Sequence, residues 1–187
     1  MIIIMSNIDP TFLVGLIGAL ILVAGAAYPI KPVSHPAKSA KNWLFAIGGL
    51  CMLGYSLLNY QAGGTIFFVI LQIFINSTSV LMMLNTSDKF DTPFIIIVGL
   101  GMVAWSLSLF EGYNTVFFIA GLSTIGLGYA LDMGTLKRNA SLTAGSALIA
   151  LFSYLAGDMI FFWLNVFFAL FSGWHSYKLL KHKENNS

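Results

Sequence analysis

YSLLNYQAGGTIFFVILQIFIN, residues Tyr55 to Asn76, decides how this chain is built. It reads as the end of one apolar helix, a tight uncharged turn at Gln61-Ala62-Gly63-Gly64, and the start of a second apolar helix. Fifty residues on, WSLSLFEGYNTVFFI (Trp105 to Ile119) aligns with Tyr55 to Val69 without a gap, and Ser56, Leu57, Thr65, Phe67 and Phe68 recur as Ser106, Leu107, Thr115, Phe117 and Phe118. Near the C-terminus FSYLAGDMIFFWLN (Phe152 to Asn165) resembles the stretch again with a shorter turn. Self-similarity of this kind marks an architecture of repeated helical units.

The surrounding composition says where such units can live. Of 187 residues, 58% are hydrophobic and 9% charged, whereas a soluble globule carries roughly 25% charged residues. Seven apolar stretches, 11–30, 43–60, 65–84, 93–110, 114–131, 140–157 and 159–179, each approach the roughly 20 residues that cross a bilayer core. Alternation at period two is absent, so the sequence predicts an all-α polytopic membrane protein with seven transmembrane helices and not a barrel. The first run follows Asp9 with no basic residue before it, which reads as a retained span and not a signal peptide. Cys51 lies inside a span and implies no disulfide.

Charge sets the expected topology. Lys31, Lys38, Lys41, Lys89, Lys137, Arg138, Lys178, Lys181 and Lys183 fall in alternate loops and the C-terminus, while Asp9, Glu111 and Asp158 mark the opposite ends of the spans. The positive-inside rule then predicts the N-terminus outside and the C-terminus in the cytoplasm, which an odd number of spans satisfies. The expected location is the cell membrane, a bacterial inner membrane, with the lipid bilayer as partner. The basic tail KLLKHK reads as a topology determinant with attraction for lipid headgroups, and no nucleic-acid partner is expected.

Within the spans, small residues at Gly15, Gly18, Gly25 and Ala26, and at Ser146, Ala150, Ser153 and Gly157, form faces that let helices approach closely. Pro29 stops or bends the first helix. Asp91 or Thr92 is placed to cap span four, with Pro93 in its first turn. His35 reads as a solvated loop histidine and Asp132 as a paired interfacial carboxylate. Tyr55 and Asn59 share a face at i, i+4. Thr65, Gln72, Asn76 and Ser79 form one polar stripe on span three, and Asn165 heads another on span seven, with Trp163 beside its outer half. An amide in hydrocarbon must face protein or water. Interhelical hydrogen bonding and solute binding both satisfy Gln72 and Asn76, and the pattern does not choose between them. No HExxH, CxxC, Walker loop or GxSxG occurs, so neither enzymatic catalysis nor a metal or cofactor is expected.

Superposing residues 12–84 on 115–180 pairs three spans with three spans. GALILVAGAAYPI answers GLSTIGLGYALDM, KNWLFAIGGLCMLGYSLLN answers RNASLTAGSALIALFSYLAG, and TIFFVILQIFIN answers MIFFWLNVFFAL. Span four then joins two triplets of like orientation, a 3+1+3 parallel repeat. With the turn Tyr28-Pro29-Ile30-Lys31 and the loop Lys38-Ser39-Ala40-Lys41, this pattern resembles the SWEET/SemiSWEET and PnuC group of small-solute transporters, the PQ-loop proteins. The resemblance implies a central sugar or nucleoside pocket lined by Asn76 and Asn165, with Tyr55 and Tyr154 from the second helices. Ile30 follows Pro29 where the family has Gln, the second triplet lacks a proline, and Asn165 aligns with Leu71. A two-helix frame, with hairpins 43–84, 93–131 and 140–179, competes with the triplets. In the triplet frame the units are 11–84, a joining segment 85–113, 114–180 and a tail 181–187. The expected function is a carrier for a small polar uncharged solute, oligomeric or part of a larger membrane complex. Gln72, Asn76 and Asn165 would bind the solute, Tyr55, Tyr154 and Trp163 would wall it, and Pro29 would be a hinge. The alternative is a non-catalytic membrane subunit that packs against other membrane proteins or lipids.

Overall fold

The computed structural model describes residues 9–28 and 34–184, and among these the chain is helical with no strand. Seven α-helices follow in order: α1 Pro10–Ala27, α2 Ala40–Gln61, α3 Phe67–Leu84, α4 Asp88–Ser108, α5 Tyr113–Ala130, α6 Leu136–Leu155 and α7 Met159–Glu184. A single 3₁₀ turn, Pro36–Lys38, precedes α2. Five of the seven, α1 to α4 and α7, are long and apolar enough to cross a membrane. Large apolar side chains such as Leu20, Ile97, Leu100 and Leu170 face outward. This reverses the surface of a soluble domain and points to a membrane protein. Helices α5 and α6 fall short of that apolarity, α5 opening on Tyr113 and Asn114 and α6 carrying Lys137, Arg138 and Asn139 in its first turn.

Most helix boundaries follow local chemistry. Ser39 accepts a bond from the Asn42 amide (3.4 Å), so α2 begins three residues before its apolar run. Thr135 caps α6 through the Arg138 amide (3.3 Å). The expected cap of span four is displaced: α4 starts at Asp88, after Ser87, and Pro93 lies inside it. Pro93 removes only the bond its amide would give to the Lys89 carbonyl, near an exposed helix end where water can replace it. Asp91 instead accepts a bond from the Thr86 hydroxyl. At the other terminus α7 runs on through Lys178 and Lys181 to Glu184, beyond the expected end of the span.

The opening stretch supplies the centre of the bundle. Phe67 through Gln72 are all buried, so α3 is enclosed on every side over one and a half turns. Phe67 packs against Phe118 of α5 (4.9 Å between ring centroids) and edge-on against Phe152 of α6 (5.7 Å). Phe68 stacks on Phe161 of α7 at 4.2 Å with the planes 3° apart. Phe161 also meets Tyr55 of α2 at 5.8 Å. Helix α2 packs on both α1 and α3, helix α6 on both α5 and α7, and α7 returns to α1 to close the bundle.

The α1/α2 and α5/α6 contacts are built alike. A Cβ on Gly18 would stand 3.1 Å from the Met52 amide nitrogen, and one on Gly121 would stand 2.8 Å from Ile149. Gly25 faces Leu44 and Phe45 as Gly128 faces Leu142, and Gly48 faces Leu22 as Gly145 faces Ile125. Lys41 Nζ donates to the Tyr28 carbonyl (3.1 Å), and Arg138 Nη1 donates to the Leu131 carbonyl (2.9 Å). Each cation thereby closes the end of the preceding helix. In a bilayer the lipid competes equally for apolar surface, so such close backbone approach provides much of the association energy.

A Cβ on Gly145 would lie 2.8 Å from the Ile125 backbone nitrogen, while Gly101 has nothing within 4 Å. Gly145→Val is therefore expected to lower the thermal midpoint of the detergent-purified protein by several degrees, an overpacking cost of about 1–3 kcal/mol. Gly101→Val should leave it nearly unchanged. Equal midpoints for the two variants would refute the close α5/α6 contact.

Candidate functional site

The described basic residues all lie at one end of the bundle, and the opposite end holds Asp9, Glu111 and Asp158. Asp158 is the one of these acids that folding withdraws from the surface, to 7% exposure. Local chain geometry puts it there. Helix α6 ends at Leu155, Gly157 takes a left-handed conformation (φ +77°), and the Asp158 amide donates back to the Ser153 carbonyl (2.9 Å). That abrupt turn delivers Asp158 to the first turn of α7, where Oδ1 accepts the Phe161 amide (3.0 Å).

The other carboxylate oxygen faces α2. Oδ2 accepts the Tyr55 hydroxyl (2.9 Å) and the Asn59 Nδ2 (3.0 Å), two side chains one helical turn apart. The Tyr55 ring lies against Gly15 of α1, where a Cβ would come within 2.6 Å of it. Burial raises the Asp158 pKa above the ordinary carboxylate value, against the opposing pull of the Phe161 amide, the Tyr55 hydroxyl and the Ile160 amide. Around this carboxylate is a cup of about 300 Å³, lined by Phe12, Tyr55, Asn59, Thr65, Phe68 and Asp158 among others. Its walls come from α1, α2, α7 and the α3 approach, and they mix polar with apolar surface. The cup offers a buried acceptor ringed by a phenol, an amide and aromatic faces.

Of the residues expected to bind solute, Tyr55 is the one that lines this cup. Asn76 Nδ2 donates to the Gly49 carbonyl of α2 (3.1 Å) and to the Gln72 carbonyl of its own helix (2.8 Å). Asn165 is buried and back-bonds to the Phe161 carbonyl (2.9 Å). Gln72 is 1% exposed, and its Oε1 has no hydrogen-bond partner among the described residues. Ser79 bonds the Ile75 carbonyl within α3. Tyr154 and Trp163 lie on the periphery, 57% and 55% exposed, each against Phe162. Pro29, expected as a hinge, lies outside the described residues.

Asn59 and Asp158 were not among those expected ligands. The i, i+4 pairing of Tyr55 with Asn59 is visible in the sequence, as is Asp158 following a glycine at the start of an apolar run. Their convergence is not, because 99 residues separate Asn59 from Asp158.

No protein-family model matches the chain, and no curated protein or solved structure is similar to it.

A raised carboxylate pKa means that the folded protein holds the Asp158 proton more tightly than the unfolded chain. The favourable contribution is then complete at low pH and disappears as pH rises through the raised value. The thermal midpoint of the wild type relative to Asp158→Asn is accordingly expected to climb as pH falls from neutral toward the ordinary carboxylate range. Parallel pH profiles for the two proteins would contradict a buried, titrating carboxylate.

Proposed function

We propose that this chain is a seven-span membrane carrier for a small polar solute, bound in the cup around Asp158. The observation that carries the reading is a carboxylate buried between helices distant in sequence, opening into a cavity with hydrogen-bonding and aromatic walls. A cavity of about 300 Å³ has the volume of roughly ten waters, which suits a small solute. The solute is one that offers donors to the carboxylate, a polyol or an amine, and anions are excluded by charge.

The three-helix frame supports this reading. In the triplet superposition Gly18, Gly25 and Gly48 pair with Gly121, Gly128 and Gly145, and their close contacts also pair. Phe67 reaches across to Phe152 as Phe161 reaches across to Tyr55, residues that pair in the same superposition. In this reading the third helix of each triplet, 11–84 and 114–180, meets the second helix of the other, with α4 as the joining span and the cup at their boundary. Transport consists of one triplet rocking against the other, with the acidic end outside and the basic end cytoplasmic. The cup then faces the outer solution. Asn76 and Asn165, the residues of the likeness to sugar and nucleoside carriers, bond to backbone carbonyls, and Gln72 Oε1 is a buried acceptor with no hydrogen-bond partner among the described residues.

Uptake into proteoliposomes across a panel of labelled polyols, nucleosides, amines and organic anions tests the proposal. Uptake of at least one neutral or cationic member is expected, with Asp158→Asn and Tyr55→Phe lowering it about tenfold or more, as for a lost charged hydrogen bond. Trp163→Phe and Tyr154→Phe should change it less than about twofold. Anion-selective uptake, or uptake indifferent to Asp158→Asn, would overturn the assignment.

A further inference from the structure

A second cavity lies on the opposite kind of surface. Between the outer faces of α6 and α7 runs a groove of about 890 Å³, almost wholly apolar. Ala147 and Ala150 on α6 and Ala169 and Gly173 on α7 form its floor, and Trp174 and Tyr177 stand at its basic end. The larger Phe162 stands at the far end. From Phe162 to Tyr177 the helix rises about 22 Å, more than the roughly 15 Å of hydrocarbon in one leaflet. The groove is therefore long enough to take a whole acyl chain and still reach the headgroup level.

Its end is chemically distinct. Trp174 and Tyr177 stack at 5.8 Å, and Lys178 Nζ lies 5.2 Å over the Trp174 ring. Lys181, one turn further along α7, is exposed. Aromatic rings followed by lysines are what a helix presents where hydrocarbon gives way to phosphate. A second copy of the chain fits poorly here. Two copies in one membrane share an orientation, so a symmetric pair across this groove would bring the lysines of both together.

We propose that the α6/α7 groove is a binding site for an anionic phospholipid, with an acyl chain along Ala147, Ala150, Ala169 and Gly173 and the phosphate at Lys178 and Lys181. The inference rests on the membrane placement of the chain and is independent of the solute cup. The occupant is a bilayer lipid and not a free phosphate ion, because the groove supplies mainly apolar contact and the lysines only its terminus.

Native mass spectrometry of the detergent-purified full chain, titrated with phosphatidylglycerol or phosphatidylcholine of the same acyl chains, tests this directly. The wild type is expected to retain phosphatidylglycerol about tenfold more tightly, the scale of two lysines at a headgroup. Lys178→Gln with Lys181→Gln should abolish that preference, while Lys89→Gln with Lys137→Gln, an equal charge change at the same end, should preserve it. Ala169→Phe, which fills the groove, should weaken retention of both lipids. Equal retention of the two lipids by the wild type would overturn the proposal. So would a preference that survives loss of Lys178 and Lys181, lipid retention unaffected by Ala169→Phe, or a dimer that Ala169→Phe dissociates.

Discussion

Phe68 and Phe161 lie face to face, 4.2 Å apart and within 3° of parallel, and the rest of the bundle is arranged about that contact. One ring belongs to the central helix α3 and the other to the last helix α7, so their stacking ties the enclosed helix to the C-terminal one. Aromatic pairs of this kind contribute about 0.5–1.5 kcal/mol beyond the area they bury. Between helices in lipid this weighs more than it would in water, because burying apolar surface against protein gains little over burying it in hydrocarbon. The same two residues also build the cup. Phe68 is part of its wall, and the amide of Phe161 holds Asp158 in place. Packing of the core and placement of the polar site are therefore a single structural event.

Close helix approach complements the aromatic centre. Glycines on α1, α2, α5 and α6 remove the side chains that would otherwise separate backbones, and the matching pairs recur in both halves of the chain. Buried polar groups are handled in two ways. Most hydroxyls and two of the three interior amides bond to carbonyls a turn earlier, or across to a neighbouring helix. These satisfy themselves and leave nothing for a ligand. Asp158 differs because its partners come from a distant helix and its surroundings are open, whereas Gln72 Oε1 is closed in without a partner.

Much of the fold was legible in the residues. Long apolar runs separated by Gly, Pro and charged turns define seven helices, since a segment in hydrocarbon must satisfy its own backbone. Capping moved a boundary at Ser39, whereas α4 begins after Ser87 with no side-chain cap, five residues before Pro93. The site was less legible. Asn76 and Asn165 stand out in sequence as expensive amides, and folding assigns both to backbone bonds. Tyr154 and Trp163 sit on faces whose direction no local pattern reveals, and they point outward. Asp158 reads alone as a surface acid, because its burial depends on α2 and α7 coming together.

By itself the sequence determined the all-helical class, the seven elements, the asymmetric distribution of charge between the two ends, and the self-similarity that begins at Tyr55. Those properties follow from hydropathy, turn chemistry and charge, which act over a few residues or along a single helix. Only the tertiary structure decided that the helix begun at Phe67 is the enclosed one, that its amides are spent on backbone, and that Tyr55 and Asn59 meet Asp158. Rotation of each helix about its axis decides these outcomes. In a nearly uniform apolar chain, that rotation is set by which glycines interlock with the adjacent helix and which rings meet residues of helices far along the chain.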